Sequence, residues 1–351
     1  MARAAREAGF DVHVATKPSG NSDDIRGEGF TLHPIPFRRG AGSALSAVAT
    51  IRAIRRLEKS IRPDIVHHSS LQCCVYGSLA ASGSGLRQIN ALTGLGYAYT
   101  SQNLDARLLK IAITALLRFF LNRSRSITLV ENPDDQAQLE RLGIARDRIA
   151  LILGSGVDTG RFAPLPEPEG PVTVGFAGRL LRNKGIRALV AAHRLLAERG
   201  INTRLLIAGA VDPSNPESVS EAEAASWNDV SGITWLGRIA DIREIWARAH
   251  IAALPSHREG LPVSLMEAAA CGRPLIATDV PGCREIAIQD RTGLLVAVEN
   301  PAALAQAIAT LATSRDLRLR YGTAARQFVV ERLSEKVIGT AIVQLYKNHM
   351  V

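Results

Sequence analysis

Glu259 and Glu267 lie eight positions apart in "HREGLPVSLMEAAACGRPLIATD", residues 257–279. Between them, Gly260, Leu261 and Pro262 suit a helix entrance rather than a helix interior, because proline's fixed φ and missing N–H are tolerated at the first turn. The spacing predicts a helix beginning near Pro262, with Glu259 at its mouth and Glu267 about a turn and a half inside. Leu261 is a weak N-cap, which leaves the N–H groups from Leu261 through Val263 to Ser264 for a ligand. A helix entrance favours an anion such as phosphate, whereas a carboxylate accepts hydrogen bonds from hydroxyls. A sugar nucleotide supplies both groups.

A second cluster occurs in "GFAGRLLRNKGIRALV", residues 175–190. A strand running to Gly178 is followed by Arg179, Arg182 and Lys184, and Gly185 opens the next helix. Small residues let backbone approach a ligand, and the cations could neutralise a diphosphate, arginine by a planar fork and lysine as a point charge.

The elements that must hold these clusters follow a βαβα rhythm, the pattern of a doubly wound parallel sheet. In the first half "DVHVAT", "DIVHHS", "RQINALTG" and "SITLVENP" read as strands between helical stretches. "GVDTGRFAPLPEPEGP", residues 156–171, then brings four prolines and three glycines. After it the rhythm restarts with "VTVGFAG", "TRLLIAG", "ITWLG", "IAALPS" and "PLIATD". Two Rossmann-like lobes are expected: residues 1–158, a hinge at 159–171, and 172–333. A last helix over 334–351 follows. Ligands of open α/β sheets sit beyond the carboxyl ends of the strands, which makes a cleft between the lobes the expected site.

The 351 residues carry 42 Lys and Arg against 33 Asp and Glu, a net charge of +9, which suits anionic partners such as phosphorylated substrates or a membrane surface. Residues 38–62 hold seven basic side chains and one acidic one. Nucleic acid is not an expected partner: aromatics are 5% of the chain and no recognition motif occurs. Four cysteines without C-x-x-C or metal-ligand spacing read as reduced thiols of a cytoplasmic protein. No Asp-x-Asp pair occurs, and neither metal nor cofactor is expected. The chain opens on "ARAAREAGFDVHVAT", the second half of a helix feeding a strand, which suggests an absent upstream element.

Taken together, these motifs resemble the retaining glycosyltransferases of family 4, which have the GT-B fold. The E-x7-E signature matches at Glu259 and Glu267, within a segment similar to the family's "EG-hydrophobic-P…EAMACG-PV-AT". "GRLLRNKG" resembles its "GRL…KG" element. "TWLGRIADIREIWARA", "GSGVDTGRFAP", "DRTGLLV" and "ENPAALAQAI" extend the likeness along nearly the whole chain. The resemblance implies Glu259, Arg179 and Lys184 as catalytic groups, the two cations meeting the diphosphate. It implies donor contacts from Gly178, Glu267 and Gly260 through Leu261 and Pro262 to Val263, and from the backbone near Gly237 to Ile239 at the nucleotide base. It also implies that the last helix crosses back to the N-terminal lobe.

"NALTGLGYAY" and "VENPDDQAQL" most resemble bacterial enzymes that build lipid-linked intermediates of surface polysaccharides. Two departures stand out. The family's first strand and glycine-rich loop are missing, and Thr93 stands where many members have histidine. Thr93, Gly94, His67 and His68 are the acceptor-side candidates. The implied reaction moves a hexose or N-acetylhexosamine from a UDP-sugar with retention, by front-face transfer, to a polyprenyl-diphosphate-linked saccharide. The helix expected over 105–122, with Arg107, Lys110, Arg118 and Arg123, suits peripheral contact with anionic lipid on the inner face of the cytoplasmic membrane, or a place in the core. Alternative readings are a catalytically impaired nucleotide-sugar-binding protein and a UDP-sugar 2-epimerase.

Overall fold

The structure, a computed structural model, describes residues 1–18, 22–37, 44–92 and 114–350. Thr93 and Gly94 lie outside the described residues, as does the first part of the helix expected over 105–122. The chain divides into two compact units, Met1–Ile152 with Ile338–Val351, and Leu153–Val337.

The first unit runs α1 (Ala2–Glu7), β1 (His13–Thr16), α2 (Ser22–Gly27), β2 (Thr31–Pro34), α3 (Ala44–Ile61), β3 (Ile65–Ser69), α4 (Leu71–Ala80) and β4 (Arg87–Leu92). It continues with α5 (114–121), β5 (Ser126–Val130), α6 (Pro133–Arg141) and β6 (Ile149–Leu151). Among the described residues β1 pairs with β2, and β3, β4, β5 and β6 form a second sheet in that order, every pair parallel. Both faces of β4 are buried, the usual condition of an inner parallel strand. Even Asn90 is fully buried, and its amide is satisfied: it donates to Ser126 Oγ at 3.0 Å and meets His68 Nδ1 through Oδ1 at 2.8 Å.

Both histidines of β3 find partners within this unit. Adjacent residues of a strand point to opposite faces, and both faces of β3 are covered here. His68 packs against α4, where a Cβ added to Gly77 would lie 2.1 Å from its Nε2. His67 Nδ1 meets Tyr346 Oη of the last helix at 2.5 Å. Burial pushes the His67 pKa down to about 4 and the tyrosine up to about 12. These contacts fasten α4 and the last helix to the sheet. In α5, Leu117, Phe120 and Leu121 enter the core while Phe119 stays exposed, with the Arg123 guanidinium over its ring. One face of this helix is therefore core.

The second unit runs β7 (Thr173–Ala177), α7 (Ile186–Glu198), β8 (Arg204–Ala208), α8 (Glu221–Ser226), β9 (Ile233–Gly237), α9 (Arg243–Arg248) and β10 (Ile251–Leu254). After these come α10 (Val263–Ala270), β11 (Leu275–Thr278), β12 (Gly293–Val296), α11 (Pro301–Thr313), α12 (Arg315–Arg332) and α13 (Glu335–Met350), which belongs with the first unit from Ile338 onward. The sheet is wholly parallel in the order β12-β11-β10-β7-β8-β9. Its first strand lies in the middle, so the chain leaves β7 toward one side and later returns on the other. The crevice where the order reverses opens at the carboxyl ends of β7 and β10, the place where such sheets bind ligands.

The expected hinge at 159–171 is packed onto this second unit. Arg326 of α12 donates to the carbonyls of Thr159, Phe162 and Ala270, and Phe162 is buried in the core. Glu167 is paired with Arg315 and Arg318, and buried Arg273 donates to the Pro166 carbonyl. Prolines remove backbone donors, and here arginines bind the carbonyls that remain.

Candidate functional site

β7 and β10 end side by side, and the loops after them are joined. Beyond β7 the chain passes Gly178 and Arg179, makes a 3₁₀ turn at Arg182–Lys184, and enters α7 through Gly185. Gly185 has φ of 70°, and a Cβ there would lie 1.9 Å from the Pro255 carbonyl oxygen. Its glycine is required by the loop after β10 pressing on it. His257 N–H completes the junction by donating to Asn183 O at 2.9 Å.

Across this junction Lys184 Nζ lies 2.5 Å from Glu259 Oε1. Ser256 Oγ, wholly buried, donates to the same oxygen at 2.6 Å. The Glu259 side chain is 11% exposed. Its backbone is also held: Glu259 N–H donates to Pro281 O, and Gly282 comes so close that a Cβ there would lie 2.3 Å from Gly260 O. Lys184 was expected at the diphosphate and Glu259 at the helix mouth. The structure pairs them with each other, because the ends of adjacent strands bring residues 75 positions apart into contact. Arg179 is different. Its side chain is 57% exposed and its ion pair with Asp212 is long, at 3.9 Å, which leaves it free to turn toward an anion.

α10 starts one residue later than expected. Pro262, not Leu261, is the N-cap, and no side chain caps it. Leu261 is buried and packs against Gly154. The first helical bonds run from Leu265 and Met266 to Pro262 O, so the N–H groups of Val263 and Ser264 stand outside the ladder. The tip offers two N–H groups in place of the longer run expected.

Glu267 occupies a second cluster. Burial pushes its carboxyl up to about 7, opposed by Arg161 and reinforced by Asp241. Arg161 Nη2 lies 3.6 Å from Asp241 Oδ1, and Arg243 forks onto the same aspartate and lowers its pKa. Gly178 N–H donates to Ala208 O, and the Gly178 carbonyl would clash with any Cβ at Gly209. Gly237 turns with φ of 64° at the end of β9 while its carbonyl accepts from Gly209 N–H; Ile239 packs on the core. Sequence reasoning missed Ser256, Arg161 and Asp241. Ser256 lies inside "IAALPS", three residues before the acid it meets, and the other two lie inside quoted motifs, where nothing local marks a side chain as facing an acid far away in the chain.

The comparisons decide what this arrangement belongs to. Residues 171–314 match the family model described as Glycosyl transferases group 1, and residues 1–131 match the one described as Glycosyl transferase 4-like. Sucrose-phosphate synthase from Thermosynechococcus elongatus superposes with a TM-score of 0.84 at 21% identity, over 99% of this chain and 91% of that one. The chain has the GT-B fold, and each of its halves matches a glycosyltransferase family model. The glycosyltransferase is also 23% identical over 98% of its length to N,N'-diacetylbacillosaminyl-diphospho-undecaprenol alpha-1,3-N-acetylgalactosaminyltransferase of Campylobacter jejuni, covering 93% of that protein. Anabaena Alr3699/HepE, solved in complex with UDP and glucose, superposes with a TM-score of 0.81 at 16% identity, over 98% of this chain and 94% of that one. The group 1 match contains Arg179, Lys184, Ser256, Glu259 and Glu267 of this glycosyltransferase.

Proposed function

We propose that this glycosyltransferase moves a hexose or N-acetylhexosamine, with retention, from a UDP-sugar to a polyprenyl-diphosphate-linked saccharide in bacterial polysaccharide biosynthesis. The observation that carries the reading is the junction at the ends of β7 and β10, where Lys184 pairs with Glu259 just before α10, a helix whose tip has no side-chain cap. The names of the relatives support it, one acting on a diphospho-undecaprenol-linked sugar and one solved with UDP and glucose. In the reaction the bond from the anomeric carbon to the diphosphate oxygen breaks. The acceptor oxygen bonds to that carbon on the same face, and its proton passes to the departing diphosphate. Arg179, Lys184 and the Val263 and Ser264 N–H groups meet the charge that grows there, without a metal. Glu259 and Glu267 accept hydrogen bonds from donor hydroxyls.

A thermal-shift panel of UDP- and GDP-sugars, followed by donor turnover, tests the reading. At least one UDP-sugar should raise the melting temperature and be consumed. A response to GDP-sugars alone would reassign the nucleotide; binding without turnover would make the protein a sugar-nucleotide binder.

The lipid-linked acceptor implies work at a membrane surface. No helix among the described residues is long and apolar enough to cross a membrane. The surface of α3 suits lying on one: Leu45 is 81% exposed, Val48 is exposed, and Arg52, Arg55, Arg56 and Lys59 continue the same stripe. Its one acid, Glu58, is buried. Each basic side chain near an anionic surface is worth about 1 kcal/mol. The protein should float with phosphatidylglycerol-containing vesicles and not with pure phosphatidylcholine, and R52E/R55E/R56E should abolish flotation. Indifference of the wild type to lipid charge would reject the contact.

A further inference from the structure

We propose that Ser256 is a positioning residue that fixes the Glu259 carboxylate so that only its second oxygen, Oε2, is presented to the donor sugar. The proposal rests on the donor reading above and adds to it a residue and a division of labour. The two contacts of the carboxylate, from Ser256 Oγ at 2.6 Å and Lys184 Nζ at 2.5 Å, both fall on Oε1. An ionised carboxylate has about four acceptor sites. With two donors on one oxygen, the lone pairs of the other are the ones available to hydroxyls.

The two anchors are not equivalent. Lys184 carries three N–H donors on a long, flexible stem, and a diphosphate is a stronger attractor for its ammonium than one carboxylate. Ser256 carries one donor, is wholly buried, and cannot follow a ligand. Its segment is pinned on every side. Its own carbonyl accepts from Thr278 Oγ1, the preceding Pro255 carbonyl abuts Gly185, and the following His257 N–H is bonded to Asn183 O. When Lys184 turns to the diphosphate, Ser256 remains to hold Glu259. The hydroxyl should therefore matter more with the sugar in place than with the nucleotide alone, a difference that a merely structural serine would not produce.

Ser256→Ala and Ser256→Thr separate these roles, since alanine removes the hydroxyl and threonine keeps it. Calorimetric titration with UDP should give Ser256→Ala a Kd within about twofold of wild type. With UDP-glucose the same variant should bind about tenfold more weakly, the scale of one lost charge-assisted hydrogen bond. Ser256→Thr should recover most of that loss. Crystal structures of the ligand-free variants form an arm that needs no donor: the Glu259 side chain should leave its wild-type rotamer in Ser256→Ala and keep it in Ser256→Thr. Equal weakening toward UDP and UDP-glucose, or an unmoved Glu259 in Ser256→Ala, overturns the proposal. Wild-type protein that binds neither probe refutes the donor reading instead, while the rotamers still judge Ser256.

Discussion

Lys184→Ala should lower sugar turnover by about three orders of magnitude, the scale of removing one preorganised charge from a transition state that develops charge. It should also lower stability. The Glu259 carboxylate keeps only the Ser256 hydroxyl once the ammonium is gone. Breaking a fully buried pair costs roughly 3–5 kcal/mol, and partial exposure of Lys184 reduces that to about 1–3 kcal/mol. The double variant K184A/E259Q isolates the two effects: it should regain most of the melting temperature and none of the activity, because a neutral amide needs no counter-charge but supplies none to the diphosphate. Arg179→Ala gives the complementary result, a comparable loss of turnover with the melting temperature unchanged, since its side chain is mostly exposed and its ion pair is long. Single-turnover kinetics beside thermal melts of the four proteins check this. Wild-type rates from Lys184→Ala would remove the lysine from the mechanism.

Glu267→Gln should make the protein more stable and a poorer donor binder, both above neutral pH. The carboxyl titrates near 4.5 when unperturbed and is pushed up to about 7 in the fold, by burial first and by Asp241, against the pull of Arg161. Below about pH 4.5 folded and unfolded chains are both protonated there, and the group contributes nothing. As pH rises from about 4.5 to 7 the unfolded chain ionises first, so stability is progressively lost; above about 7 the full penalty stands. The glutamine variant escapes it, melting higher than wild type at about pH 8 and equally at about pH 4.

Donor affinity runs the other way. The ionised form accepts from two donor hydroxyls at once, so wild-type affinity should fall as pH drops through about 7, whereas Glu267→Gln should be flat and roughly 10- to 100-fold weaker at about pH 8. Such opposition is the usual mark of a group kept for function at a cost in stability. A wild-type donor Kd that does not change between about pH 6 and 8 would deny Glu267 this role.

Much of this arrangement is legible in one dimension because its signals are local. "VTVGFAG" and "IAALPS" are β-rich runs that end in turn residues, and "EGLP" before an apolar helix marks an entrance to within one residue. The order of strands and helices predicts a doubly wound sheet, and hence a crevice at the ends of its first and fourth strands. The short elements α2 and β2 escape notice, being too brief for periodicity to register. The packing of the stretch at 159–171 is hidden for another reason. Proline and glycine report where regular structure stops, not whether the chain is free, and the arginines that bind it down come from residues 273 to 326.

The sequence by itself determined the family likeness, the parallel α/β class, and the loops from which a ligand would be met, because each follows from residue type at short spacing. Tertiary structure alone decided which groups meet. It paired Lys184 with Glu259, joined His67 to Tyr346 and His68 to Asn90, and brought Arg161 and Asp241 to Glu267. The physical reason is that a carboxylate's charge state, free lone pairs and partners depend on what surrounds it in space. Those neighbours come from strand ends 75 positions apart at Lys184 and Glu259, a separation over which no local pattern carries information.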